Sequence, residues 1–239
     1  MNMKNFLIIS FTLLFSNYIF SQEMLGKELL EKSIEYHDPK GNWEKGKFTF
    51  RLKQDMPQRG IRFTTFKIDH RKEVFWQKDE IEKDVIIRQI EKDSCEYELN
   101  GKKTFTAEES KKHHLNCERT KMWRDYQTYL YGLPMKLKDQ GTIIHEKIEK
   151  TTFQDKPCWK LKVTYEATVG KDTWYFYFSP ENYSLIGYRF YKDESKNDGE
   201  FITLEDEIII NEIKFPRDRK WYFNIDGNYL ATDYILSGK

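Results

Sequence analysis

The feature that most constrains the fold is a series of short, aromatic-rich segments in the C-terminal half of the chain. The densest of them lie at Trp174–Phe178, Ile208–Ile210 and Trp221–Phe223. These segments favour strands, and turn residues separate them. The pattern predicts strands near 142–153, 157–166, 172–178, 184–192, 199–210, 213–223 and 228–236. We therefore expect one continuous antiparallel sheet.

The N-terminal half predicts a helix followed by further strands. Apolar residues recur at helical spacing over about 23–37, and Asp38-Pro39 ends that pattern. The segments that follow alternate between apolar and polar residues, which is typical of half-buried strands. Asn100-Gly101 predicts a two-residue hairpin.

A helical insertion interrupts the strands near 106–135. Thr106 and Glu109 match a capping box at the start of a short polar helix. A second helix is expected over about 118–131, where Gly132 provides a C-terminal cap. Its apolar stripe consists of Met122, Tyr126, Tyr129 and Leu130.

Residues 1–21 have the charge, length and order of a secretory signal peptide. Lys4 precedes an apolar run at 6–15. That run is shorter than the roughly 20 residues that a membrane-spanning helix needs. We expect cleavage near Ser21/Gln22 and a mature chain without a transmembrane segment, in the periplasm or secreted.

Charge argues against nucleic acid as a partner. The chain has 40 Lys and Arg against 39 Asp and Glu, and Lys4 is the one charge that signal removal takes away. The mature chain is therefore formally neutral, whereas nucleic-acid binding needs a basic face. Aromatic residues make up 16% of the chain, so rings must build much of the core.

Three cysteines cannot all pair within one chain. Export permits a disulfide, and Cys95 with Cys117 is the favoured pair, which would leave Cys158 free. Three reduced, buried cysteines are equally compatible with the sequence. The Cys and His residues lack the short spacing of zinc sites, so we predict no metal and no cofactor.

Other candidate sites each have a simpler structural interpretation. His37 and Asp38 could act as a base and its orienting group, but the end of a helix explains them as well. His113-His114 is more typical of a polar helix surface. The acidic loop 193–200 resembles a calcium loop in composition, yet it departs from the EF-hand pattern and joins two strands. The common hydrolase, metalloprotease and nucleotide-binding motifs are missing from the sequence.

Five segments resemble signatures of an uncharacterised family of exported bacterial proteins. They lie at 36–43, 117–122, 129–137, 170–178 and 191–200. The resemblance extends over nearly all of the mature chain. The family has no established activity, so the resemblance implies no catalytic residues.

Two further segments, 178–186 and 213–223, are similar to strand–turn–strand steps of the LolA-like lipoprotein-carrier fold. In that fold a long curved antiparallel sheet forms an open half-barrel around an apolar cavity, and helices serve as a lid. The resemblance implies a β-rich α+β fold. We expect a single domain over 22–239, with the insertion near 106–135 as its lid.

These features favour a non-catalytic periplasmic binding or carrier protein for an apolar or amphiphilic ligand, such as a lipid or a lipoprotein acyl chain. Burial of each methylene contributes about 0.8 kcal/mol, so an acyl chain can bind tightly without catalytic groups. The residues expected to line the site are Phe48, Phe50, Phe63, Phe75 and Trp76 on the first strands and Met122, Trp123, Tyr126 and Met135 on the lid.

Three alternatives remain open at this point. The rings could pack against one another and leave no cavity; Phe75-Trp76 is apolar on both faces, so alternation does not assign its sides. The chain could instead be an envelope interaction or scaffold module with an exposed aromatic patch. It could also be an enzyme that uses His37 and Asp38 with Arg119 or Arg124.

Overall fold

The computed structural model describes residues 24–239, and the expected signal peptide at 1–21 lies outside them. The described chain forms three α-helices: α1 (Gly26–His37), α2 (Ala107–Lys112) and α3 (Cys117–Tyr131). Its twelve strands are β1 (Lys47–Met56), β2 (Gly60–Asp69), β3 (Val74–Ile81), β4 (Asp84–Glu91), β5 (Ser94–Leu99), β6 (Thr142–Phe153), β7 (Lys156–Tyr165), β8 (Thr173–Phe178), β9 (Leu185–Tyr191), β10 (Glu200–Ile210), β11 (Ile213–Phe223) and β12 (Tyr229–Gly238). Short 3₁₀ turns lie at Met135–Lys138 and Glu194–Lys196. The seven strands expected after residue 141 are confirmed.

All twelve strands of the described chain belong to one antiparallel sheet, in the order β5-β4-β3-β2-β1-β12-β11-β10-β9-β8-β7-β6. Most neighbours are consecutive in sequence, because hairpins join them. The exception is β1 with β12, which brings the two ends of the domain together, for example at Leu52 opposite Ile235. The sheet is curved and unclosed, with β5 and β6 at its edges. This confirms the expected α+β, β-rich half-barrel.

Alternation along the strands decides which face of the sheet is buried. On β1, Phe48, Phe50 and Leu52 are fully buried, and the residues between them lie on the outer face. The same period of two continues on β2, β3 and β4. The concave face therefore holds the main core, and the convex face carries most of the charges.

The structure contains the hairpin turn and the helix cap that the sequence predicted. Asn100 and Gly101 both have positive φ, at 51° and 78°, as a type I′ turn requires. Strand pairing beyond this turn is limited to a single bridge between Leu99 and Lys102. The capping box of Thr106 and Glu109 is also confirmed at the start of α2.

A disulfide joins Cys95 on edge strand β5 to Cys117, the first residue of α3. Their Cα atoms are 5.6 Å apart, within the usual range. The favoured pairing is therefore the one formed, and Cys158 is a buried free thiol. The bridge fixes the start of α3 to one edge of the half-barrel.

The first helix, α1, packs against β6 and β11. Gly26 makes this packing close, because a Cβ atom there would collide with the carbonyl oxygen of His145 on β6. None of the described helices is both long enough and apolar enough to span a membrane.

Candidate functional site

The candidate site is the concave face of the half-barrel, which α3 crosses from one wing of the sheet to the other. On one wing, Gln127 Nε2 in the C-terminal half of α3 donates a hydrogen bond to Gln77 Oε1 on β3 at 3.3 Å. On the other wing, the hydroxyl of Tyr129 makes a hydrogen bond with that of Tyr165 on β7. The helix therefore occupies the position of the expected lid, with its first residue held by the disulfide.

The floor beneath the C-terminal end of α3 consists of packed rings. Phe50 lies with its ring centroid 4.8 Å from that of Phe66 and 5.2 Å from that of Phe215. Tyr131, at the end of α3, packs against Phe50 at 5.4 Å and against Phe66 at 5.0 Å. This part of the concave face is filled, as the first alternative of the sequence analysis anticipated.

Farther along the same strands, inward-facing residues become polar. Asp79 is buried and accepts hydrogen bonds from Thr64 Oγ1 at 2.8 Å and from Gln77 Nε2 at 2.9 Å. It also forms a buried ion pair with Arg88 Nη1 at 2.8 Å. The Arg88 side chain in turn donates to the carbonyl oxygen of His113 beside α2. The concave face thus changes along the strands from aromatic to polar.

A groove of about 460 Å³ enters this polar end beside α3, and we call it the Trp221 groove. Its walls include Met56, Tyr126, Trp221, Phe223, Tyr229 and Leu230, together with Arg59, Arg62 and Asp233. Tyr126, Phe223 and Tyr229 at its rim are 37%, 39% and 43% exposed, whereas Trp221 at its inner end is buried. The groove therefore runs from an open aromatic mouth to a buried indole.

On the opposite flank of α3 lies a broader groove of about 840 Å³, between Thr128 and Tyr129 and the β2–β3 hairpin. The buried residues Ile68 and Phe75 form part of its lining, but most of its walls are charged. A smaller pocket of about 330 Å³, which includes Trp174, also has Tyr129 in its wall. The helix consequently has open space on both sides.

The structure places the nine expected site residues in three different environments. Phe48, Phe50, Phe75 and Met135 are buried in the core. Phe63 and Trp76 lie on the convex face, where Arg51 covers the ring of Phe63 and Lys67 that of Trp76. Met122, Trp123 and Tyr126 lie on α3, and Tyr126 is the one of the nine that lines the Trp221 groove.

The His37–Asp38 pair has the structural role that the sequence favoured. His37 is buried, with Nδ1 2.6 Å from the carbonyl oxygen of Lys214 and Nε2 accepting from the backbone N–H of Leu185 at 3.0 Å. Asp38 accepts the backbone N–H groups of Asn42 and Trp43, each at 2.8 Å. Both side chains are thus committed to holding α1 and the turn after it.

Burial lowers the pKa of His37 from 6.5 to about 4, because the buried site disfavours the charged ring more than the hydrogen bond to the Lys214 carbonyl favours it. In the unfolded chain the ring binds its proton near pH 6.5. The folded state resists that proton until about pH 4, so His37 contributes stability above pH 6.5 that is lost as the pH falls towards 4.

We expect His37→Gln to remove this pH dependence. The stability difference between wild type and variant should shrink by about 3 kcal/mol between pH 7 and pH 4. Urea denaturation of both proteins across that range measures it. A difference that stays constant with pH would show that His37 titrates alike in the folded and unfolded chains.

The other candidate ion sites also have structural roles. Among residues 24–239, no group of three or more His, Cys, Asp or Glu side chains is arranged to hold a metal. In the 193–200 loop, Asp193 caps the 3₁₀ turn at Ser195, and Asp198 Oδ1 accepts the backbone N–H groups of Lys192 and Asp193. The polar-loop interpretation of this segment fits these contacts.

Comparison with known protein families places the chain in one of them. A family of unknown function, DUF6503, has a model that matches residues 3–237. The chain belongs to the DUF6503 family. The expectation of a family without established activity is therefore confirmed. A search of curated proteins finds no significant match to this DUF6503 protein.

Several solved structures are similar to this DUF6503 protein over most of its length. A LolA superfamily protein from Nitrosomonas europaea is 9% identical, with a TM-score of 0.49 over 91% of this chain and 94% of that one. A domain described as an outer membrane lipoprotein-sorting protein, from Vibrio parahaemolyticus, is 10% identical, with a TM-score of 0.49 over 90% and 92%. A DUF1329 family protein from Desulfovibrio piger is 6% identical, again at 0.49, over 91% and 93%. No residue role is transferred from these proteins.

Sequence reasoning missed the polar part of the site. None of Gln54, Arg62, Asp79, Arg88 and Arg219 is among the residues expected from the sequence to line the site. A signal was present, since Asp79 and Arg88 fall at inward positions of their strands by the same alternation that buries Phe75 and Ile90. Charged residues at core positions are rare unless they are paired or functional.

Proposed function

We propose that this DUF6503 protein is an exported, non-catalytic carrier that binds an amphiphilic ligand in the Trp221 groove. The observation that carries the proposal is the groove itself, an aromatic-walled space of about 460 Å³ that ends at buried Trp221. Its volume is within the range of small-molecule sites. Its walls combine aromatic rings with Arg62 and Asp233, which matches a ligand with one polar and one apolar part.

The apolar wall supplies the affinity in this proposal. The ring of Tyr126 on α3 stacks on that of Trp221 with a centroid distance of 6.5 Å, so the helix and the sheet each contribute a ring to the wall of the groove. An acyl chain that covers these rings and the exposed Phe223 and Tyr229 would gain about 0.8 kcal/mol for each methylene it buries. The lid role expected for the insertion thus becomes that of one wall of the groove.

Truncation of Tyr126 tests this placement. The residue is partly exposed, so Tyr126→Ala should leave the fold intact while it removes an aromatic contact from the ligand. We expect the affinity for the neutral fluorescent probe N-phenyl-1-naphthylamine to fall roughly tenfold. Fluorescence titration of the mature protein measures it.

The matched control is Tyr36→Ala. Tyr36 lies on α1, where its hydroxyl donates to Glu207 at 2.9 Å, and it does not line the Trp221 groove. This variant should bind the probe as the wild type does. If the wild type takes up no probe, or if both variants lose affinity equally, the groove is not the binding site.

One observation favours the runner-up, an envelope interaction module. Beyond the groove mouth, Ile225 is 70% exposed next to the exposed rings of Phe223 and Tyr229. Such a patch is typical of a surface that contacts another molecule. A folded protein that binds no probe, but whose association with envelope extracts is lost in Ile225→Ser, would favour this role over the carrier.

A further inference from the structure

A buried, unpaired guanidinium lies in the centre of the half-barrel. Arg219 on β11 is 1% exposed, and its Nη1 donates to the carbonyl oxygen of Pro216 at 2.9 Å. Its Nε has no hydrogen-bond partner among residues 24–239. Arg219 also forms no ion pair with any of these residues. Buried charges are normally paired, because removal of an ion from water is costly. A buried guanidinium without an ion pair is therefore a candidate site for an anion.

The acid on the neighbouring strand is already engaged elsewhere. Asp233 on β12 lies directly across the strand pair from Arg219. Its Oδ1 accepts from Gln54 Nε2 at 2.9 Å, and its Oδ2 accepts from Trp221 Nε1 at 3.2 Å. Burial raises the pKa of Asp233, an effect that Gln54, Arg219 and Arg62 oppose. Two guanidinium groups thus face a single carboxylate in this part of the interior.

Two buried tyrosine hydroxyls lie beside Arg219. The ring of Tyr131 lies 4.1 Å from Arg219 Cζ, and neither Tyr131 Oη nor Tyr188 Oη has an acceptor for its proton among residues 24–239. Burial raises the pKa of both hydroxyls, and Arg219 opposes that rise in each case. Both hydroxyls therefore keep their protons. The cluster therefore offers hydrogen-bond donors from three side chains, and none of the three forms an ion pair within residues 24–239.

This cluster lies directly behind the inner wall of the Trp221 groove. Trp221 is two residues from Arg219 on the same strand, and its ring centroid is 6.4 Å from that of Tyr188. The ring of Tyr126, on the other wall, is 6.5 Å from the same indole. Trp221 therefore contacts both the groove and the buried cluster.

We propose that Arg219, Tyr131 and Tyr188 form a receptor for the anionic head group of an amphiphile whose chain lies in the Trp221 groove. The inference rests on the proposed carrier function and deepens it by naming the ligand class. A carboxylate or a phosphate is the group that a guanidinium and two hydroxyls bind best, through charge-assisted hydrogen bonds. The head group enters first, and the chain extends to the aromatic rim.

The test compares hexadecanoate with hexadecanol as competitors of N-phenyl-1-naphthylamine. The two ligands share a chain and differ in the charge of the head group. Wild type should prefer the acid by roughly 10- to 100-fold, the range for hydrogen bonds to a charged group. Arg219→Met should abolish that preference and retain the affinity for the alcohol.

The stability of the variants separates a receptor from a structural arginine. Because Arg219 lacks an ion-pair partner, replacement by an apolar residue of similar length should leave the melting temperature unchanged or raise it. Tyr188→Phe removes one hydroxyl donor and keeps the ring, so it should fold normally and lose part of the preference for the acid. The control is Arg217→Met on the same strand. Arg217 pairs with Asp218 at 2.8 Å and lies outside the cluster, so this variant should keep the full preference for the acid.

Each remaining outcome decides between the two proposals. Equal binding of acid and alcohol by wild type and by Arg219→Met would overturn the receptor and leave the carrier function standing. Competition by inorganic phosphate as strong as that by dodecyl phosphate would assign the cluster to a free anion and overturn the amphiphile. Failure of the probe, the acid and the alcohol to bind at all would overturn both.

Discussion

Asp79→Ala should destabilise the folded protein by about 3–5 kcal/mol, because it leaves the buried guanidinium of Arg88 without its partner. The carboxylate is 2% exposed and lies 2.8 Å from Arg88 Nη1. It also accepts hydrogen bonds from Thr64 and Gln77, so the substitution leaves several buried donors without an acceptor. Urea denaturation at neutral pH measures the loss.

Glu80→Ala provides the matched control at the next position of β3. Glu80 faces outward and pairs with Arg51 at 2.9 Å, but both side chains are partly exposed. Such a pair contributes about 0–1 kcal/mol. The double variant Asp79→Leu/Arg88→Met should recover most of the stability lost in Asp79→Ala, because it removes both charges together. Equal losses in Asp79→Ala and Glu80→Ala would contradict the buried network.

Phe50→Ala should cost about 3–5 kcal/mol, the range for large-to-small changes in a packed core. Phe50 is fully buried among Phe66, Tyr131 and Phe215. The substitution leaves a cavity under the end of α3, where the helix rests on the sheet. Denaturant unfolding, with the loss read from the shift in midpoint, measures it.

Phe63→Ala is the corresponding control on the convex face. Phe63 is partly exposed, and Arg51 lies with Cζ 5.4 Å from its ring centroid. Loss of that contact should cost no more than about 1 kcal/mol. A small loss at Phe50, comparable with that at Phe63, would mean that the aromatic floor is an open cavity rather than a packed core.

The fold was predictable from sequence because its strands follow one another through hairpins. Each of the segments after residue 141 is rich in strand-favouring residues and ends at its own turn, so the local pattern was enough to place β6 to β12. The pairing of β1 with β12 is different in kind. It joins strands at opposite ends of the domain, for example Leu52 and Ile235, and no local signal specifies it.

The candidate site was predictable only in its apolar part. Alternation identified Phe48 and Phe50 as inward residues, but it did not say whether they would line a cavity or fill one. That outcome depends on Tyr131, whose position over Phe50 and Phe66 follows from how α3 crosses the sheet. Phe63 and Trp76 lie on the other face, because each is one residue out of phase with the buried positions of its strand.

The polar cluster depends on tertiary arrangement still more strongly. Arg219 and Tyr188 lie on β11 and β9, and Tyr131 comes from the end of α3. Their sequence neighbours give no indication that the three side chains meet. Only the curved sheet with α3 across it brings one guanidinium and two hydroxyls into a region without a matching acceptor.

The central proposal, that the half-barrel carries an amphiphile, is tested most directly by the mass of the protein purified from cells without added lipid. Mass spectrometry under native and denaturing conditions compares the protein with and without bound ligand. We predict extra mass that disappears on denaturation and that solvent extraction recovers as an acidic lipid. Identical masses under both conditions, together with no uptake of N-phenyl-1-naphthylamine or hexadecanoate, would contradict the carrier function.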